Sequence, residues 1–436
     1  MSKTVESRQE HLKFDAQMQF LEEEFKQIPD HRTNNVTYSL ASVLQAAFAM
    51  FSLKCPSLLD FQTQTVPERS NLRSIYRIKG QTPGDSQMRA TLDYLDDKYL
   101  RAVFPSLYRR ICEAGMLSDY KYWQEYVLVS VDGVEHFSST KVNCPSCTTR
   151  NLRNGKTSYH HAALAAVIVH PDEKEVFPIE IEPIIKQDGE QKNDCERNAA
   201  KRLCEKLKTN YPKLPILLIE DALYSNAPHL REILENDWKY ILNVKPDSHK
   251  SLFKQFEERR QAGEIQELRK TDENGNEQYF GWAKGLYLNE SATDISVNYL
   301  WYEEKNSKGE VTRWTWITNL ELNRMTVEKV MKGGRARWKI ENETFNTLKN
   351  QGYNFGHNYG HGENNLSTVL ALLMFMAFLI DQTQQRYCEV FKQVWHGLKS
   401  KAKLWKAIQN VFRVLKFQTM EKLYRQIAYL YQIILE

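Results

Sequence analysis

Apolar positions along this chain change their period twice, and each change marks a boundary. Up to about residue 120 the spacing is helical. Ser39 can cap a helix in which Leu40, Val43, Leu44, Ala47, Phe48 and Phe51 recur at helical intervals, and Pro56 stops it. TPGDSQMRATLDYLDDKYL opens on turn residues and then sets Met88, Leu92 and Leu95 on one face. From about Tyr126 the period shortens. YVLVSVDGVEHFSS reads as a strand with a glycine kink, and YHHAALAAVIVHP and VFPIEIEPI as two more. Lys192 to Lys208 predicts a helix with Ala199, Leu203 and Leu207 inward. PILLIED is nearly all apolar, as suits a central strand covered on both faces. Pro228 to Glu235 reads as a short helix and KYILNVKP as a fifth strand.

Three strands, helix, strand, helix, strand is the order of an RNase H-like fold, an analogy of order that carries no activity by itself. Residues 247–325 interrupt it. After the charged segment FKQFEERRQAGE come the strand-like runs EIQELRKT, EQYFGWAKGLYLN, ISVNYLWYEEK and TRWTWITNL, with DENGN and EEKNSKGE as turns. The expected class is α/β, a mixed RNase H-like sheet flanked by helices, with an antiparallel β insertion and helical ends. The expected segments are a helical lead at 1–120, which could contact DNA or simply pack, core at 121–246, insertion at 247–325, core again at 326–385, and a basic helical end at 386–436.

At 436 residues the chain is too long for one ordinary core and predicts two to four domains. Its 42% hydrophobic and 26% charged residues are ordinary for a globular protein. The net charge of +4 says little, but its distribution says more. From Phe391 onward, nine Lys and Arg face only Glu421 and Glu436, and Lys141 to Lys156 holds four basic residues and no acid. Such local excess fits a polyanion, although a solvated helix face reads the same way. The seven scattered cysteines fit a reducing compartment. The polar N-terminus shows no secretory signal, and the apolar run from Leu366 to Ile380 is short for a membrane span. A cytoplasmic protein with a buried core helix is expected, with no membrane partner.

Three acids stand out by placement. Asp132 ends the run YVLVSVDG, Asp221 ends PILLIED, and Glu341 sits in the helical segment RARWKIENETFNTLK. Any long chain offers three carboxylates, but two strand ends and a helix make a site for hard divalent cations such as Mg²⁺ or Mn²⁺. Two such ions act on both the attacking and the leaving oxygen of a phosphodiester. Glu343 competes with Glu341, but two residues apart on a helix they point to nearly opposite sides. Arg337, four residues before Glu341, shares its face. Glu220 alternates to the other sheet face from Asp221. Glu135 and His136 read as strand-edge polarity.

Together, VSVDG, IEDALYSN, WTWITNL and RWKIE resemble the DDE transposases of bacterial insertion sequences. The closer resemblance is to the cut-and-paste group whose third acid lies in a Tyr–Arg–Glu–Lys signature. It spans about Tyr126 to Lys349. The signature's Tyr falls at Gly334, and its Lys at Leu348 with Lys349 beside it, about 100° further around a regular helix. The resemblance implies catalysis at Asp132, Asp221 and Glu341 with two Mg²⁺ or Mn²⁺. It also implies phosphate contacts from Arg337 and Lys349, and a base stacked on Trp314, for which Trp316 is the neighbour on the same strand face. It further implies an endonuclease acting on double-stranded DNA, the inverted-repeat element ends and the target, as a homodimer in bacterial cytoplasm. The alternatives are a metal-dependent nuclease without strand transfer and a DNA-binding protein with a degenerate catalytic domain.

Cys144-Pro-Ser-Cys147 can supply half a zinc site. The remaining ligands would come from Cys195, His160 or His161. His160 and His161 alternate in direction, so at most one of them joins. On spacing alone, two thiols in a tight basic loop remain the simpler reading.

Overall fold

The nearly all-apolar PILLIED strand lies inside a sheet with neighbours on both edges. The computed structural model describes residues 9–33, 36–65, 69–186 and 195–436. Lys192 to Asp194, the expected start of a helix, lie outside them. The strands are β1 (Lys121–Trp123), β2 (Tyr126–Ser139), β3 (Thr148–Asn151), β4 (Thr157–Val169), β5 (Phe177–Ile184), β6 (Ile216–Glu220), β7 (Lys239–Asn243), β8 (Gln266–Thr271), β9 (Glu277–Tyr287), β10 (Ser296–Lys305) and β11 (Val311–Thr318). β5, β4 and β2 pair antiparallel, then β2, β6 and β7 run parallel. That is the RNase H-like arrangement. Every residue of β6 is buried, because helices cover both faces of a parallel centre.

The insertion strands do not form a separate layer. β11 pairs antiparallel with β7, and β10, β9 and β8 follow, so they extend the core sheet. The charged segment before them is a helix, Lys250–Gln261, which buries Leu252 and Phe256.

The lead helices α1 (Phe14–Gln27), α2 (Leu40–Ser52), α3 (Asp85–Asp93) and α4 (Val103–Glu113) behave as the pattern predicts. Ser39 accepts the Ser42 N–H at the start of α2, and all of α2 but Ala41 is buried. Within the core, α5 (Glu196–Asn210) and α6 (Ala227–Glu235) cross over between parallel strands, and α7 is Lys250–Gln261. Then come α8 (Val327–Arg335), α9 (Leu366–Tyr387), α10 (Glu389–Leu398), α11 (Lys401–Val414) and α12 (Met420–Leu430). α9 is long and apolar enough to cross a membrane, but its apolar stretch is wholly buried within the protein. It packs on α2, α3 and β5.

The two ends of the chain share one helical layer. Lys54 pairs with Asp381 at 2.6 Å, both buried. Asn71 donates to the carbonyls of Phe412 and Leu415, and Gln409 to those of Leu53 and Lys54. Segments 1–120 and 386–436 therefore meet side by side.

Strand β5 buries two carboxylates. Glu182 is met by Arg101, Arg202 and Lys206. Glu180 accepts a hydrogen bond from Asn210 at 2.9 Å, and burial pushes its pKa up to about 7. An unfolded Glu releases its proton near pH 4.3, so the stability tied to the protonated form is full below that value and lost as pH rises through about 7. Glu180→Gln should therefore gain stability over the wild type at about pH 8 but not at about pH 4, read from urea midpoints. Parallel curves at both values would remove Glu180 from the pH dependence.

Candidate active site

The register of β2 against β6 brings the first two acids together. Ser130 stands beside Ile219 in this parallel pair. Two residues further along come Asp132, still within β2, and Asp221, just past the end of β6. Asp132 Oδ1 accepts the Gly133 N–H at 2.9 Å, and Asp221 Oδ1 accepts the Leu223 N–H at 2.7 Å. A bulge between Glu135 and Phe137 then breaks the ladder to β4 just past the site.

The third acid arrives from a helix that lies very close to the sheet. A Cβ on Gly333 would sit 2.9 Å from the Tyr122 ring and 3.0 Å from Ile241. A Cβ on Gly334 would sit 2.5 Å from Trp316 Nε1. No tyrosine fits at Gly334, because the fully buried Trp316 occupies that space. Beyond α8, residues Ile340–Phe345 form a π-helical turn. The widened turn changes the rotation between Glu341 and the short helix Asn346–Asn350 that carries Leu348 and Lys349.

Arg337 joins the two halves. Its Nη1 donates to Asp132 Oδ2 at 2.9 Å and to Glu341 Oε1 at 3.3 Å, and Ser130 Oγ donates to its carbonyl at 3.3 Å. The side chain is buried. Burial pushes the Asp132 carboxyl up to about 7, Arg337 opposes that shift, and the Glu341 carboxyl adds to it.

Glu196 is a fourth carboxylate, which the sequence reading missed. It opens α5, and its Oε1 would lie 2.7 Å from a Cβ on Gly133. Tyr224 Oη donates to Glu196 Oε2 at 3.4 Å. Burial raises its pKa, and the charge of Asp221 adds to the rise. Nothing in its sequence surroundings marks it, because only the fold of α5 carries it back to β2.

This donor set is all carboxylate oxygen, with the Arg337 guanidinium bridging Asp132 and Glu341. The residues fit a hard divalent cation, with Asp132, Asp221 and Glu341 as the groups that would hold it.

The other sequence candidates separate. Glu343 faces the charge of Lys401. Glu220 is buried on the opposite side and pairs with His229 at 2.7 Å. His160 Nδ1 lies 2.8 Å from Glu135. Trp316 is core, whereas Trp314 is half-buried with the Arg335 guanidinium 4.7 Å from its ring centre. Lys349 is exposed on the short helix Asn346–Asn350. Cys195 is the exposed N-cap of α5.

Because Arg337 is the cation between two acids, Arg337→Ala should cost about 3–5 kcal/mol in the absence of divalent cations at about pH 8. Millimolar Mg²⁺ or a lower pH should restore part of that loss. Urea unfolding with and without MgCl₂ checks this, and an equal loss under all conditions would make Arg337 a packing residue only.

A family model for the transposase DDE domain matches residues 145–380, more than half of the chain. The match includes Asp221 and Glu341 and begins after Asp132. No curated protein matches the sequence. Among solved structures the chain is similar to piggyBac transposase, determined by cryo-EM in a synaptic complex with hairpin DNA. The identity is 11% over 97% of this chain and 79% of that one, with a TM-score of 0.41. By the family match, the chain belongs to the DDE transposases.

Proposed function

We propose that this transposase cuts DNA at the ends of an insertion sequence and joins the freed ends to target DNA, with Asp132, Asp221 and Glu341 as its catalytic acids. The observation that carries the reading is one guanidinium, that of Arg337, bridging the strand aspartate Asp132 and Glu341, with Asp221 just past the end of the neighbouring parallel strand β6. The three acids would hold Mg²⁺ or Mn²⁺, whose chemistry when bound is to activate an attacking oxygen and stabilise a leaving oxygen of a phosphodiester. Arg337 keeps Asp132 and Glu341 at fixed spacing and neutralises part of their charge while DNA is absent. When a phosphate approaches, the same guanidinium can turn to it.

DNA would be held around this centre. Lys349 is exposed one short helix beyond Glu341, within reach of a backbone phosphate. Among the tail residues, Lys403, Lys406 and Lys416 are exposed, whereas Arg413 and Arg425 pair with Asp60 and Glu421. Trp314 offers a ring on which a displaced base could stack, at about 1–3 kcal/mol per base, if it takes the place of Arg335. A homodimer gripping two ends in the bacterial cytoplasm completes the reading.

Asp132→Asn, Asp221→Asn and Glu341→Gln should each reduce Mg²⁺-dependent cleavage of an end-bearing duplex at least about 100-fold while DNA binding persists. Glu343→Gln should cleave far better than Glu341→Gln. A pre-cut end with a 3′-hydroxyl should become joined to plasmid DNA, and a 3′-dideoxy end should not. Cutting without joining would favour a plain nuclease.

Trp314→Ala should slow the step after first nicking and leave nicking nearly intact, and Trp314→Phe should keep partial activity because a ring face remains. If both steps fall together along with thermal stability, Trp314 is a packing residue.

A further inference from the structure

We propose that Cys144, Cys147, His161 and His361 form a tetrahedral zinc site that staples the segment following the Glu341 helix to the catalytic sheet. Their ligand atoms all lie within 4.8 Å of one another. Sγ of Cys144 and Cys147 are 3.8 Å apart. His161 Nε2 lies 3.3 and 3.4 Å from the two sulfurs. His361 Nε2 lies 3.2 Å from Cys147 Sγ and 3.2 Å from His161 Nε2. Bonds of about 2.3 Å to sulfur and 2.0–2.1 Å to nitrogen in a tetrahedron set sulfur–sulfur edges of about 3.8 Å and nitrogen–nitrogen edges of about 3.3 Å. The observed sulfur–sulfur and nitrogen–nitrogen edges match.

Hydrogen bonding alone does not account for the cluster. His361 Nδ1 donates to the Gly362 carbonyl at 2.8 Å, so the neutral ring presents a lone pair at Nε2. That lone pair points at another imidazole nitrogen and a sulfur. His161 Nε2 has two sulfurs and His361 Nε2 within 3.4 Å, more neighbours than one ring nitrogen can bond. Four electron-rich atoms converge where one shared cation satisfies them all. Thiolate and imidazole select zinc over magnesium, so this centre is chemically distinct from the carboxylate site. The outer contact at His361 Nδ1 is the kind that orients a histidine ligand.

The surroundings hold the ligands in place. Cys147 and both histidines are buried. The Cys144 N–H points at Cys147 Sγ at 3.4 Å, and the Lys186 N–H ties the loop at the Ser146 carbonyl. His161 comes from β4. His361 lies between two glycines in left-handed or open backbone, Gly360 at φ 147° and Gly362 at φ 71°. A Cβ on Gly362 would sit 2.1 Å from Asp93 Oδ1. Asp93 in turn accepts the N–H groups of Glu363, Asn364 and Leu366 and so fixes the turn that presents His361. Cys195, a ligand candidate by spacing, is not in the cluster.

The four ligands connect the loop after β2, the strand β4 and the chain between Glu341 and α9. The staple thus spans the two halves that bring Asp132 and Glu341 together. Zinc binding does not rest on the proposed transposition chemistry and can be read without it.

Intact protein purified without chelator should carry one zinc per chain by elemental analysis. His361→Ala and Cys147→Ser should each lower zinc affinity at least about tenfold, and Cys195→Ser should leave it unchanged. Because ligand variants can misfold, wild-type protein with its zinc exchanged for cobalt(II) gives an independent reading. Intense tetrahedral visible bands with a thiolate charge-transfer band support the site. Hydrogen exchange of residues 351–365 should rise when zinc is removed. Absence of zinc from folded wild-type protein, a weak octahedral cobalt spectrum, or a Cys144–Cys147 disulfide in reducing buffer would overturn the proposal.

Discussion

Negative charge gathered at the end of a buried strand pair requires positive charge built in beside it. Arg337 supplies that charge, and much of the architecture serves to bring it there. The parallel register of β2 and β6 carries Asp132 and Asp221 to the same end of the strand pair. Gly333 and Gly334 let α8 lie against Tyr122, Ile241 and Trp316 closer than any side chain would permit. From that contact the chain emerges with Arg337 already over Asp132, and the π-helical turn then presents Glu341 to the same guanidinium. A wider approach at the glycines would carry Arg337 away and leave two carboxylates facing each other across a low-dielectric gap.

The sheet gives this pairing a rigid frame. The insertion strands prolong the sheet through β7 and β11 instead of forming a module of their own. Trp316 on β11 therefore lies directly against Gly334 of α8. Rigid elements on both sides are what a site needs to hold charged groups within a few tenths of an ångström.

Much of this was legible in the chain. The run YVLVSVDGVEHFSS coincides with β2 end to end, and the apolar PILLIED told its central place. The three acids were singled out by their places along such elements, although Asp132 lies in the middle of β2 and not at its end. What escaped was short, local or non-local. β1 and β3 have three and four residues and carry no readable period. The charged α7 has only two buried residues, too few for an apolar stripe. The π-turn is invisible to a method that assumes regular rotation. Glu196 and His361 owe their places to topology: His161 and His361 are 200 residues apart and meet only because α9 returns beside the sheet.

The burial of α9 also sets the order in which the molecule can be assembled. α2 is almost entirely buried, and a main partner is α9, more than 300 residues later. A chain emerging from the ribosome therefore presents an apolar N-terminal helix for most of its synthesis before the segment that covers it exists. The late helix is itself apolar enough to attract a bilayer. Contacts of such sequence separation form slowly, and the exposed partners invite association in the meantime. Premature truncation anywhere before residue 366 would leave that surface permanently open, so incomplete copies of this chain should be recovered as aggregates.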